Sequence, residues 1–331
     1  MKNLITLLAI VTISINVNAQ KLLESYKPVL KSTLSRSVNI DQKKGYAIEQ
    51  VKPTIYVITD GIWQSAAIVT DEGVVLIDAP ESFGMNIQKA VQEVTSKPIV
   101  TLIYSHGHSD HIGGSQYLKN IKDLQIIALE SQANFLRDQN DPRRLVPNFT
   151  FTGSYVLNKG GKRIYLSNAL NYHSPEGDLF ISIPADKFLM VVDVLAPGYV
   201  PFKNFDLSNN MHNYLKAFDQ ILAYDFDVFV GGHLTAIGNR ADVIISKEYA
   251  YDVYKTVKRV HSNTNMMEVM AGAAQKIGWD NKFLLFDVFL NKIIDESTIE
   301  LEKRWVDRLS GVDVFTKSNV STMLNYVRWD D

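Results

Sequence analysis

The chain of 331 residues contains no cysteine. That excludes disulfides, thiolate metal sites, a cysteine nucleophile and lipid attachment through a thiol. Neither sign of charge is in excess, with 34 Lys and Arg against 36 Asp and Glu and a formal net charge of −2. No global electrostatic pull toward nucleic acid is therefore expected. Histidine is sparse, at seven residues, so any clustering of it carries information. Long hydrophobic runs are missing too. Leu4 to Ile15 is the apolar stretch that comes nearest, and a transmembrane helix needs about 20 residues. No membrane anchor is expected.

What is present reads as a folded, mixed chain. Hydrophobic residues make up 46%, enough for a sizeable core in one large or two smaller domains. Lys2, the apolar stretch after it and the small residues Val17-Asn18-Ala19 form the pattern of a secretory signal peptide over 1–19. Cleavage near Ala19-Gln20 would leave a periplasmic or secreted protein. Residues 20–50 are polar and weakly patterned, a lead-in. From 51 to 240, short β-rich runs alternate with helical ones, which means an α/β domain. Ile55–Ile58, Ala66–Val69, Val74–Ile77, Ile99–Tyr104 and Ile126–Leu129 read as strands, followed later by Arg163–Leu166, Leu179–Ile183, Phe188–Val192 and Val228–Val230. Residues 241–331 form a helical C-terminal extension, with helices expected over 241–260, 264–277, 282–295, 297–309 and 318–327. No Pro/Gly-rich linker precedes them, and Phe283-Leu284-Leu285-Phe286 is too apolar to stay exposed. These helices should pack on the α/β body, shaping the site or a homodimer contact.

One hexapeptide carries the chemistry. After the strand ending at Tyr104 comes His106-Gly107-His108-Ser109-Asp110-His111, with three histidines and an aspartate in six residues. Alternate side chains at a strand edge share a side, so His106 and His108 can face one metal. The chain then turns, and Asp110 and His111 point to an adjacent position. Imidazole and carboxylate donors suit zinc, with iron or manganese as further options.

This motif resembles that of the metallo-β-lactamase superfamily. The resemblance implies a four-layer αββα sandwich with metals at one edge between the sheets, and it extends along the chain. Val74–Ile77 ends in Asp78, Tyr172-His173-Ser174-Pro175 supplies His173, Met190-Val191-Val192 leads to Asp193, and Phe229-Val230-Gly231-Gly232 leads to His233. Carried over residue by residue, His106, His108 and His173 would hold one zinc ion. Asp110, His111 and His233 would hold a second, with Asp193 bridging and Asp78 supporting from behind. Water activated between the two ions would then attack an acyl carbon, Asp110 orienting it or accepting its proton.

The family resemblance also points to substrates. An aspartate rather than a cysteine at 193 resembles glyoxalase II-like and lactonase-like hydrolases. Lactonases usually have a tyrosine three residues after that aspartate, where this chain has Ala196; Tyr199 is the nearest phenol. Trp63, in the turn after the first strand, is a candidate apolar wall for substrate. Lys203 and Asn204 are candidates for a substrate carboxylate. The expected activity is hydrolysis of a small-molecule acyl substrate: an ester, lactone, amide or β-lactam. The alternatives are a phosphodiesterase or nuclease on the same fold, or a non-catalytic metal-binding protein.

Overall fold

The computed structural model describes residues 26–331; the signal-peptide expectation over 1–19 lies outside them. Two sheets form the centre. The first has seven strands in sequential spatial order: β1 (Ala47–Lys52), β2 (Ile55–Thr59), β3 (Gln64–Thr70), β4 (Gly73–Ile77), β5 (Ile99–Ile103), β6 (Gln125–Leu129) and β7 (Phe149–Phe151). Strands β1 to β4 are antiparallel neighbours, whereas β4, β5, β6 and β7 run parallel. The second sheet holds β8 (Ser154–Lys159), β9 (Lys162–Ser167), β10 (Phe180–Ile183), β11 (Phe188–Val191) and β12 (Val228–Val230), in the order β12-β11-β10-β9-β8.

The two-residue period of each strand sorts its side chains between layers. Val57, Ile68, Val75, Ile77 and Ile103 meet Ile164, Leu166, Ile181, Phe188 and Met190 between the sheets. Ile58, Leu76 and Leu102 face the other way, onto Ile87, Ala90 and Val91 of α1 (Asn86–Val94). Central strands β4 and β5 are apolar except at Thr101, because both faces of the sheet are covered there. The outer face of the second sheet is covered by α3 (Met211–Leu222), α4 (Arg240–Asn263), α6 (Lys282–Trp305) and α7 (Val312–Trp329). Helix α2 (Glu130–Gln139) follows β6, and α5 (Met266–Ile277) joins α4 to α6. The result is the expected αββα sandwich with a helical extension, and the extension shares its apolar core with Leu189, Val191 and Phe229 of the sheet.

Several expectations need correction. The lead-in over 20–50 ends inside a strand, because β1 begins at Ala47 and pairs with β2. Its earlier part is also engaged: Arg36 forms a two-pronged ion pair with Asp242, and the Leu30 N–H donates to Ser310 Oγ. The expected helices at 282–295 and 297–309 are one continuous helix, α6. Thr298 Oγ1 donates to the Ile294 carbonyl at 2.7 Å, so its hydroxyl is satisfied within the helix instead of breaking it.

Candidate metal centre

The expected ligands lie just beyond strand ends, on a loop between strands, or, for Asp110 and His111, in the short helix Ser109–Ile112. Asp78 follows β4, His106 and His108 follow β5, Asp193 follows β11 and His233 follows β12. Because β4 and β5 run parallel, as do β11 and β12, those strands end on one side and deliver the ligands there. Asp78 and Asp193 both have left-handed backbones, with φ of 59° and 61°. Such conformations cost energy in a non-glycine residue and persist where the surroundings enforce them. At Asp78 the enforcement is visible: Ser65 Oγ donates to the carbonyls of both Ile77 and Asp78 at 2.9 Å. Before His233, Gly231 and Gly232 are required by space. A Cβ on Gly231 would lie 2.1 Å from the Leu195 carbonyl oxygen, and Gly232 has φ +89° with His111 3.2 Å from its notional Cβ.

The side chains converge in two groups. Ligand atoms of His106, His108, His173 and Asp193 lie within 4.8 Å of one another, as do those of Asp110, His111 and His233. Asp193 connects the groups through opposite oxygens. Its Oδ2 is 3.2 Å from His106 Nε2 and 3.1 Å from His173 Nε2. Its Oδ1 is 2.8 Å from His233 Nε2 and 3.2 Å from His111 Nε2. His108 turns Nδ1 toward His173 Nε2 at 2.9 Å. Asp110 Oδ2 stands 3.5 Å from His111 Nε2 and accepts the indole N–H of Trp63 at 3.3 Å.

This donor set fits divalent ions. His106 Nε2 and Asp193 Oδ1 are buried and without a hydrogen-bond partner, even though imidazole nitrogens approach the carboxylate closely. Buried polar atoms are rarely left so. Lone pairs that converge without sharing protons are what a cation requires. The electrostatics point the same way. Burial drives the His106 imidazole well below its ordinary pKa, so it is neutral. Burial also opposes charge on His173 and His233, but the Asp193 carboxylate outweighs it and raises both to about 9. Asp193 itself, despite burial, is held well below the usual carboxylate range by His111, His173 and His233. A negative charge this deep demands positive partners, which protons or metal ions can supply.

The family model of the metallo-beta-lactamase superfamily matches residues 60–233, more than half of the chain. The chain belongs to that superfamily. Over 197 residues it is 27% identical to the 2,4-dinitroanisole O-demethylase subunit alpha of Nocardioides sp. (strain JS1661), an alignment spanning 58% of each protein. It is 25% identical over 219 residues to the metallo-beta-lactamase type 2 of Elizabethkingia meningoseptica, covering 60% of this chain and 84% of that one. Among solved structures, a metallo-beta-lactamase from Pontibacter korlensis superposes with a TM-score of 0.52 and 16% identity, over 61% of this chain and 97% of that one. A double mutant of the sec-alkyl sulfatase PisA1 superposes with a TM-score of 0.60 and 16% identity, over 87% of this chain and 51% of that one. At those identities the structural likenesses show the fold alone. The last covers too much of the chain to stop before the C-terminal helices, so part of the extension belongs to the shared architecture.

The candidate ligands are supported by further side chains, of which the sequence had not singled out Asp178, Tyr172 and Tyr214. Asp178, buried, accepts the backbone N–H groups of Tyr172 and His173 at 2.8 Å and of Ser174 at 3.0 Å, clamping the loop that carries His173. Tyr172 Oη donates to the Val192 carbonyl, and Tyr214 Oη donates to that of Val194 at 2.6 Å, pinning both flanks of Asp193. Asp78 Oδ1 accepts the Ser105 N–H at 2.8 Å, while Oδ2 stands 3.9 Å from His111 Nδ1. Burial raises Asp78 to about 6. Trp63 is half-buried with its ring 6.5 Å from that of His233. Tyr199, Lys203 and Asn204 make no hydrogen bond or ion pair with the cluster. Tyr199 bridges to Ser310, and the Asn204 N–H donates to Ser318 Oγ.

Proposed function

We propose that this chain is an exported dinuclear metal hydrolase acting on a small, uncharged acyl substrate such as an ester or lactone, with zinc as its metal. The observation that carries the reading is Asp193, whose two carboxylate oxygens each face a separate pair of imidazoles. A lone ion needs no such two-sided carboxylate. His106, His108 and His173 would hold one ion, Asp110, His111 and His233 the other, and Asp193 would fix the two sets relative to each other. When bound, two such ions supply Lewis acidity and make water nucleophilic near neutral pH.

The protein's own groups do the rest. Asp110 is partly exposed and fixed by the Trp63 indole, so its carboxylate is placed to accept a proton from an attacking water. Trp63 offers an apolar surface beside His233, and burying substrate methylenes there contributes about 0.8 kcal/mol each. The loop after Asp193, Val194-Leu195-Ala196-Pro197-Gly198, carries no cation. A substrate carboxylate held there would lack a partner, which favours neutral acyl groups over β-lactams. The relative from Nocardioides is named for 2,4-dinitroanisole, itself an uncharged molecule. The balanced net charge weighs against nucleic acid as substrate.

The reading is tested with metal analysis and a panel of chromogenic esters, lactones, β-lactams and phosphodiesters. Two ions per chain and ester or lactone cleavage that disappears on chelation are expected. Carbapenem or phosphodiester turnover with kcat/KM above roughly 10⁵ M⁻¹s⁻¹, without ester cleavage, would overturn it.

A further inference from the structure

Between β11 and α3 the segment Lys203–Leu207 turns the wrong way. Asn204, Phe205, Asp206 and Leu207 all have positive φ, between 54° and 59°. For Asn204, Phe205 and Asp206, ψ is also positive, between 36° and 54°. Successive non-glycine residues thus form a left-handed helical turn, in which each Cβ crowds the following carbonyl. Single residues visit this region; a run of them persists only where neighbours over-determine it.

The neighbours are identifiable. Asn319 of α7, fully buried, accepts the Phe205 N–H at 2.8 Å and donates to the Pro201 carbonyl at 3.1 Å. Ser318 accepts the Asn204 N–H at 3.3 Å, and the Phe205 ring is fully buried. On the other side, Ser208 Oγ donates to the Tyr172 carbonyl and Asn209 Nδ2 to that of His173, at 2.7 Å. The turn is therefore clamped between α7 and the loop that carries His173. What the reversed hand places there is Asp206. It is 9% exposed, and among the described residues no hydrogen bond reaches its carboxylate. Burial raises it to about 6, so it is ionised above neutral pH, and the turn that carries it is tied by Ser208 and Asn209 to the loop of His173. Asp206 lies outside both ligand groups.

We propose that Asp206 is a specificity-determining residue, a negative charge fixed on the turn that grips the His173 loop, which disfavours substrates carrying an anion beside the reacting group and admits neutral or cationic ones. The proposal rests on the reading of the centre as a dinuclear acyl hydrolase and names its substrate class. The electrostatic logic is simple. Two divalent ions held by neutral imidazoles and only two carboxylates, Asp110 and Asp193, keep surplus positive charge, which would attract anions of every kind. A buried carboxylate that binds no ion lowers that surplus without occupying a coordination position. Being buried, it is also poorly screened by salt.

The test uses the metal-loaded full chain and two hydroxamates of matched length, butyrohydroxamic acid with a neutral tail and succinic monohydroxamic acid with an anionic one. Calorimetry gives both affinities without requiring turnover. The wild-type protein should bind the neutral compound at least about tenfold tighter, a difference of about 1.4 kcal/mol. Asp206→Asn should bring the pair within about threefold, whereas Asp206→Glu, which keeps the charge, should retain most of the preference. The wild-type ratio needs no variant to fold: equal affinity, or binding of neither compound, overturns the proposal by itself. So does an Asp206→Asn protein with full metal content and an unchanged ratio. Ester turnover is measured on the same preparation. A flat ester assay with the affinity ratio intact would fail the acyl reading and leave the charge selection standing.

Discussion

Removing the carboxylate of Asp178 should loosen the His173 loop by an amount the structure lets one estimate. Three buried N–H groups, those of Tyr172, His173 and Ser174, converge on it. Leaving a buried donor unsatisfied costs about 1–3 kcal/mol. Asp178→Ala orphans all three, but water can enter the space vacated, so a loss of about 4 kcal/mol is expected. Asp178→Asn keeps one oxygen for Tyr172 and His173 and fails only Ser174, so its loss should be about 1–2 kcal/mol. Urea unfolding of the metal-free proteins measures both. The functional consequence is separate. His173 belongs to the group with His106, His108 and Asp193, and groups that orient a ligand are worth about 10–100-fold in metal affinity. Equilibrium dialysis should therefore show Asp178→Ala weakening one of two sites while the other holds. An alanine variant within 1 kcal/mol of wild type, with both sites unchanged, would refute the clamp.

Asp193→Ala should leave at most one ion per chain by elemental analysis and abolish ester cleavage, because both ligand groups lose their shared carboxylate. In the metal-free protein, His173 and His233 have folded-state pKa values of about 9 against 6.5 for the free side chain. Their contribution to stability is thus fully present below pH 6.5 and lost as pH rises through about 9. Melting temperature of the chelated protein should fall across that window. Metal affinity should rise over the same range, since ions and protons compete for the same nitrogens, and a chelated protein that gains stability between pH 7 and 9 would contradict the assignment. Truncation after residue 245 removes α6 and α7 and uncovers Phe218, Phe229 and Tyr214; insoluble protein is expected, and a truncated chain that folds and binds two ions would show the extension to be dispensable. Mass spectrometry of the protein from its native host should find a chain beginning near Gln20.

His106, Asp193 and His233 were legible as candidate ligands because each follows a strand whose apolar run is unmistakable, so the sequence names both the donor and its place beyond a strand end. Other features depend on contacts that no local pattern encodes. Strand β1 was assigned to a polar lead-in because, as an edge strand, its six residues are at most half-buried and its alternation is faint. Asp178 stands within a stretch whose histidine drew attention, yet its role depends on the chain doubling back at Gly177, which has φ +114°. The two helices expected over 282–295 and 297–309 run on as one, with Ser297 and Thr298 buried at the join. In Lys203-Asn204-Phe205-Asp206 the sequence drew attention to Lys203 and Asn204, and nothing local marks a left-handed turn. Asn319 and Ser318, more than a hundred residues later, help hold the segment as a left-handed one that buries Phe205 and Asp206.

The helical extension therefore braces the candidate metal centre and is more than an attachment to it. Asp193 needs a left-handed backbone to turn one oxygen toward each group of imidazoles, and that conformation has to be held from outside. Tyr214 of α3 grips the Val194 carbonyl, and the Tyr172 hydroxyl grips that of Val192. Both rings are buried in the apolar layer that α4, α6 and α7 complete. Loosening that layer frees the tyrosines, and with them the flanks of the carboxylate that both ligand groups share. Substitutions deep in the helices, such as Trp305→Ala, should consequently weaken metal binding although no helix after residue 240 supplies a ligand. A Trp305→Ala protein that unfolds at lower urea yet keeps both ions with wild-type affinity would show that the two layers are energetically independent, against what these hydrogen bonds imply.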